Sequence, residues 1–256
     1  MSNTAVNHLK PEYGNWVSKR MVYVPLVIGM ALVLLMPWYL LFAIPAAILL
    51  LVAVYFAYAR YLFGPRGGDV QGAIWAFLLD HVNWQGQGKA LDIGCGSGAL
   101  CIGLAKKFPL VTIVGIDNWG KQWEYSKALC EQNAAIEGVR ERTSFREASA
   151  SALPFADESF DLVVSNLTFH EVRDTSDKQQ LLREGLRVLK KDGLFAFQDL
   201  FLMRQVYGDV ETLLQSIRDQ GTTKVDFLET NKEPFIPWAL RLPFMVGTIG
   251  LIVGVK

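Results

Sequence analysis

Thirty-nine consecutive residues, Met21 to Ala59, carry no charge. Leu, Val, Ile, Ala, Phe, Tyr and Met dominate the run, and a chain of that kind must satisfy its backbone polar groups internally, as an α-helix does. One straight helix would extend about 58 Å at ~1.5 Å per residue, nearly twice a hydrocarbon core of about 30 Å. Pro37, in Met36-Pro37-Trp38-Tyr39, removes a backbone donor and clashes with the preceding turn, and the Trp-Tyr pair suits a membrane interface. The pattern predicts a helical hairpin over about 22–36 and 39–59. Lys19 and Arg20 precede the run and Arg60 and Arg66 follow it, which places both ends in the cytoplasm by the positive-inside tendency. The first arm falls short of the roughly 20 residues a crossing takes, so a full crossing and a re-entrant dip both stay open.

The remaining chain needs a different solvent. Of 256 residues, 51% are hydrophobic and 20% charged, which excludes a disordered chain. The 25 basic and 25 acidic residues balance, so no global field draws the protein to nucleic acid. The basic excess sits in residues 1–66, before the change in pattern. Cys95, Cys101 and Cys130 form no C-x-x-C pair and read as buried thiols of a reducing compartment. No metal site is expected. Tyr13-Gly14-Asn15-Trp16 reads as an interfacial aromatic anchor, with folding over a cofactor pocket as the rival.

After the breaker cluster Gly64-Pro65-Arg66-Gly67-Gly68, short apolar runs alternate with amphipathic stretches, the pattern of an α/β fold with a parallel sheet. The expected segments are 1–20, a hairpin at 21–60 and a catalytic domain at 61–256. Strands are expected at 90–93, 111–116, 143–147, 160–165 and 194–199, and helices near 99–107, 120–137, 176–190 and 207–219. Residues 245–255, apolar with three glycines, read as a last antiparallel strand rather than a third membrane segment.

The informative stretch is Leu91-Asp92-Ile93-Gly94-Cys95-Gly96-Ser97-Gly98, a strand entering three alternating glycines and then a helix. Glycines let the backbone turn sharply and approach a ligand, and the helix start offers unpaired N–H groups. Gly94-x-Gly96-x-x-Ala99 with Asp117 downstream also fits the looser dinucleotide rule, so a nicotinamide-dependent membrane dehydrogenase stays open. A non-catalytic cofactor-binding protein stays open as well.

These residues resemble the first motif of class I S-adenosylmethionine-dependent methyltransferases, with Asp92 ahead of the glycines as in that family. The resemblance covers roughly residues 70–200 and implies a doubly wound, mostly parallel, seven-stranded sheet with S-adenosylmethionine as cofactor. It implies that Asp92, Gly94, Cys95, Gly96 and Gly98 form the cofactor loop. By the same resemblance Asp117 bonds the ribose hydroxyls, and Asn118 and Trp119 flank the adenine. Ser149 and Ala150 form the adenine-side loop, ahead of Leu153-Pro154-Phe155, and Asn166 ends the fourth strand. Ser149 stands where many members carry Asp, which puts an adenine-amine contact there in doubt. Trp123 reads as a core or interface aromatic.

Methyl transfer from a sulfonium is an in-line displacement, so the enzyme mainly positions a nucleophile and excludes water. A base would come from segments following the strands, where His170 and Asp199 are the catalytic candidates. His170 stands near the expected site, unlike His8 in the tail and His81 before the first strand, and a packing role competes with that of a base. Glu171 reads as a solvated or Arg-paired carboxylate. The combined expectation is a membrane-anchored methyltransferase acting on a small lipophilic acceptor, its partners the bilayer and that acceptor.

Overall fold

The computed structural model describes residues 10–120 and 125–256. Two compact units divide the chain: Asn15–Ala73, and the residues up to Gly14 together with Ile74–Lys256. His8 and Trp123 lie outside the described residues.

In the first unit, helices α1 (Lys19–Leu35) and α2 (Ala43–Phe63) are joined by a turn at 36–39 and a single 3-10 turn, Leu40–Phe42. Pro37 falls in that turn, where the amides of Trp38 and Tyr39 both donate to Leu35 O. Helix α1 starts three residues before the expected 22, taking in Lys19 and Arg20. Helix α2 ends four residues beyond the expected 59, with Arg60 in its last turn, where a cation meets the partial negative end of the helix. By length and composition one helix, Leu40–Phe63 with mean hydropathy 2.7, could cross a membrane among the described residues. Gly29 of α1 lets α2 come near: a Cβ there would lie 3.1 Å from the Leu50 side chain.

Helix α3 (Val70–His81) carries the chain into the second unit. Its sheet comprises β1 (Gln87–Ile93), β2 (Leu110–Asp117), β3 (Thr143–Glu147), β4 (Phe160–Asn166), β5 (Leu189–Asp199), β6 (Lys224–Leu228) and β7 (Gly250–Val255). The spatial order is β3-β2-β1-β4-β5-β7-β6. Strands β1 to β5 run parallel, and β7 is antiparallel to both neighbours. Helices α4 (Ala99–Lys107), α5 (Lys127–Ile136), α6 (Lys178–Val188), α7 (Arg204–Tyr207) and α8 (Val210–Arg218) complete the unit. The fold is α/β with a mixed, mostly parallel seven-stranded sheet, and alternate strand residues feed two separate cores. Leu91, Ile93, Val163 and Phe197 pack with Leu182 and Leu186 of α6 on one face. Ala90, Leu162 and Ala196 pack with Ile102 and Leu104 of α4 on the other.

Three departures from the expected elements have local causes. Strand β5 begins at Leu189, five residues early, because Leu189 pairs with Phe160 before the register shifts between Phe160 and Leu162. Lys190-Lys191-Asp192-Gly193, which reads as a turn, lies inside it, with Asp192 at φ +62°. Strand β6 was not expected: its five residues include exposed Lys224 and Asp226 and form the sheet edge, where charge blunts further pairing. Helix α5 starts only at Lys127, where Ser126 caps it by accepting from the Leu129 amide. The tail is a strand, and Gly254 is needed there, since a Cβ would stand 2.4 Å from the Phe195 ring.

Candidate active site

The β1–α4 turn is built for close approach. Gly94, Gly96 and Gly98 hold φ of +76°, +54° and +83°, a region L side chains rarely adopt. Gly94 meets a second constraint, because a Cβ would lie 2.0 Å from Thr168 Oγ1 on the segment after β4. The amides of Gly94 and Cys95 donate to Ile116 O at 2.8 and 2.9 Å, fastening the turn to the end of β2. There Asp117 accepts from Gly96 N at 2.9 Å and Trp119 N at 2.8 Å. Asp117 is half-buried, and a carboxylate with two donors keeps lone pairs for hydroxyl groups. The Trp119 indole donates to Gly96 O at 2.9 Å, laying the ring on the glycine loop. Asn118 is exposed and accepts from Gly120 N.

Asp92 is buried beneath the turn, 3.2 Å from the Cys101 thiol that donates to it. Burial pushes its carboxyl up to about 7 against that bond, with the Asp117 charge adding to the rise. The same burial raises the Cys95 thiol well above its usual value and the Cys101 thiol to about 12, so both stay protonated and inert. All three cysteines are free and buried, as expected.

The N-terminal residues join this turn through a residue that motif reading passed over. Asn133, buried on α5, accepts from Glu12 N at 2.9 Å and donates to Glu12 O at 2.8 Å and Ser97 O at 3.0 Å. Ser97 Oγ donates in turn to Tyr13 O. Tyr13 therefore lies against the glycine loop. Trp16 belongs to the first unit, where its ring meets Phe63 edge-on at 5.5 Å.

On the other side, the structure brings His170 and Asp199 together. His170 Nδ1 lies 2.6 Å from Asp199 Oδ1, and Asp199 also accepts from the amides of Phe169 and Leu200 at 2.7 and 2.6 Å. Burial alone would lower the His170 pKa, but the Asp199 charge and hydrogen bond and then Glu171, 3.5 Å from Nε2, push it up to about 10. At neutral pH the ring is thus an imidazolium with no vacancy for a further proton. The Asp199 carboxyl is held below its usual range despite full burial. Glu171 is lowered chiefly by His170, with Arg173 adding.

Ser149 Oγ bonds Ser151 Oγ at 2.9 Å and Asp174, a carboxylate supplied from 25 residues downstream beside the position where Asp was missing. Ala150 is buried in the core next to them. Among the described residues, five buried side-chain polar atoms lack a partner: Asn166 Oδ1, Gln198 Oε1, Tyr207 OH, Asn231 Oδ1 and Thr248 Oγ1. All belong to the ends of β4 and β5 or to segments following β5 and β6 or preceding β7, hence to the sheet's carboxyl edge, where ligands bind in such sheets. Tyr207 OH lies near Asp199, whose charge adds to the burial that raises its pKa, without reaching hydrogen-bond geometry. Of the five, Asn166 Oδ1 ends the strand next to β1 and so lies on the glycine-turn side, where an orphaned polar atom fits a polar cofactor. Among the described residues no group of His, Cys, Asp or Glu could hold a metal.

Comparison with known proteins agrees with this geometry. Residues 91–197 match a family model described as "Methyltransferase domain". An uncharacterized protein of Haemophilus influenzae is 32% identical over 60% of this chain and 57% of its own. Ajmaline N-methyltransferase of Rauvolfia serpentina is 30% identical over 51% and 40%, and demethylmenaquinone methyltransferase of Lactobacillus johnsonii is 33% identical over 41% and 40%. The chain spans about half the length of the curated relatives it matches. Among solved structures, geranyl diphosphate methyltransferase in complex with SAM has a TM-score of 0.58 at 14% identity, covering 78% of this chain and 90% of that one. A putative sarcosine dimethylglycine methyltransferase from Galdieria sulphuraria scores 0.55 at 18% identity, over 77% and 96%. Residues 91–197 match a methyltransferase domain, and the second unit shares its fold with solved methyltransferases.

Proposed function

We propose that the whole chain is a membrane-anchored methyltransferase that transfers a methyl group from S-adenosylmethionine to a small lipophilic acceptor bearing an acidic hydroxyl. The observation that carries this is the His170–Asp199 pair at the carboxyl edge of the same sheet as the glycine turn. Bound in that turn, the cofactor supplies an electrophilic methyl on a sulfonium. Asp117 and the backbone of Gly94 to Gly98 hold its adenosyl part, and Thr168 closes the turn over Gly94. Asp199 keeps the Nδ1 proton of His170 and fixes the ring. Nε2 lies 3.5 Å from Glu171, a long contact that a bound acceptor's oxygen would replace; the Nε2 proton would then favour the acceptor's anion, so His170 works as a donor to a phenolate- or enolate-like group rather than as a proton-abstracting base.

The lipophilic class follows from the apolar segment. The 24-residue helix Leu40–Phe63 has the length and composition to anchor the chain, and an acceptor dissolved in the bilayer is concentrated beside an anchored enzyme. Demethylmenaquinone methyltransferase among the relatives is in keeping with such an acceptor. The catalytic domain and N-terminus then face the cytoplasm, following the basic flanks Lys19, Arg20, Arg60 and Arg66. Incubating the enzyme with methyl-labelled S-adenosylmethionine and whole membranes tests this: label should enter the organic extract. Label confined to aqueous metabolites would reject the lipophilic acceptor.

A further inference from the structure

In the second unit, large apolar side chains are almost all inside. Among its described residues four are strongly exposed, and three of these, Trp238 (83%), Leu242 (38%) and Phe244 (63%), lie within seven residues of one another. They sit on the β6–β7 connection, which the motifs of the methyltransferase domain do not reach. Arg241, exposed between them, donates to Ile236 O and Glu233 O, and no carboxylate is within ion-pair distance of it among the described residues. An aromatic pair, a leucine and an unneutralised cation are the side chains that settle at the boundary of headgroups and acyl chains.

The connection is also firmly placed. Gly250, the first residue of β7, is in register with Asp199, the last of β5. Leu202 N donates to Thr248 O at 3.0 Å, Asn231 Nδ2 to Gly247 O at 2.7 Å, and Gln198 Nε2 to Thr230 Oγ1 at 3.1 Å. The segment is thereby pinned at the carboxyl edge of the sheet, one strand from the carboxylate that holds His170. We infer that residues 238–244 form a second membrane-contact surface, which dips into the headgroup region and opens the acceptor side of the site to the bilayer. This rests on the anchored reading above: only six residues separate α2 from α3, so an anchored chain keeps the second unit within ~20 Å of backbone from the membrane. An acceptor would then pass from the leaflet toward His170 without crossing water.

The full chain in phosphatidylcholine nanodiscs, with or without acyl chains brominated near the headgroup, tests the inference. The Trp238 emission is the difference between the wild type and Trp238→Phe, a mild change at an exposed position. Bromine is expected to quench that difference by at least half. If the difference is unchanged while the remaining tryptophans are quenched, the anchored reading stands and the contact surface is rejected. Should Trp238 be untouched by bromine yet shielded from aqueous acrylamide, a second copy of the chain covers the patch and the inference fails. If sodium carbonate strips the protein from the discs, the anchored reading fails and the inference falls with it.

Discussion

Burial favours a neutral imidazole at His170, yet the Asp199 carboxylate 2.6 Å away reverses the balance and keeps the ring charged up to about pH 10. Because this folded-state pKa lies above the ordinary 6.5, the pair's stabilisation is complete below pH 6.5 and is lost as pH rises toward 10. The lowered Asp199 value bounds it from the acid side, being lost as pH falls through that value. His170→Gln should destabilise the fold by about 2–4 kcal/mol at neutral pH, since it leaves a buried carboxylate unpaired. The melting difference from wild type should shrink by pH 10. The donor role predicts that kcat/KM stays level through pH 6.5 and falls above about 10, whereas a base would give a rise through its pKa. Asp92 has the same sign in a lower pH window. Its carboxyl, raised to about 7 by burial, contributes most in acid and progressively less as pH rises through 7. Asp92→Asn should therefore gain stability over wild type between pH 5 and pH 8, by about 1–4 kcal/mol, measured by thermal unfolding at each pH. Asn133→Leu removes three hydrogen bonds that tie Glu12 and Ser97 together. Calorimetry should show S-adenosylmethionine binding weakened roughly tenfold.

At the scale of elements, the β1–α4 turn was legible because its requirements are local. A strand must end, turn left-handed three times and start a helix, and only glycine does this cheaply. Gly94→Ala should cost about 2–4 kcal/mol in urea unfolding and abolish detectable cofactor binding, since it adds strain at φ +76° to a collision with Thr168. Strands β2 and β4 were legible for a related reason: each is a largely apolar run bounded by turn residues. The start of β5 was not, because Lys190-Lys191-Asp192-Gly193 looks like a turn and is drawn into the sheet by Phe160. Strand β6 was hidden in the same way, since its charges suit an edge that exists only once β7 is in place.

For the molecule as a whole, the anchored reading predicts that the protein stays in the pellet when cell membranes are washed with sodium carbonate. Recovery in the supernatant would remove the helix Leu40–Phe63 as an anchor. The uncharged run, the α/β alternation and the glycine turn were readable from the chain alone, because each is a pattern of neighbouring residues along the chain, and Asp117 because it ends the next apolar strand. The tertiary structure decided everything that depends on long-range meeting. It set the contact of His170 with a carboxylate 29 residues away, which turns a nominal base into a cation. It brought Glu12 to Asn133 across 121 residues, and Ser149 to Asp174 across 25. Charge state and hydrogen bonding follow from what surrounds a group after folding, and one-dimensional spacing carries little of that information.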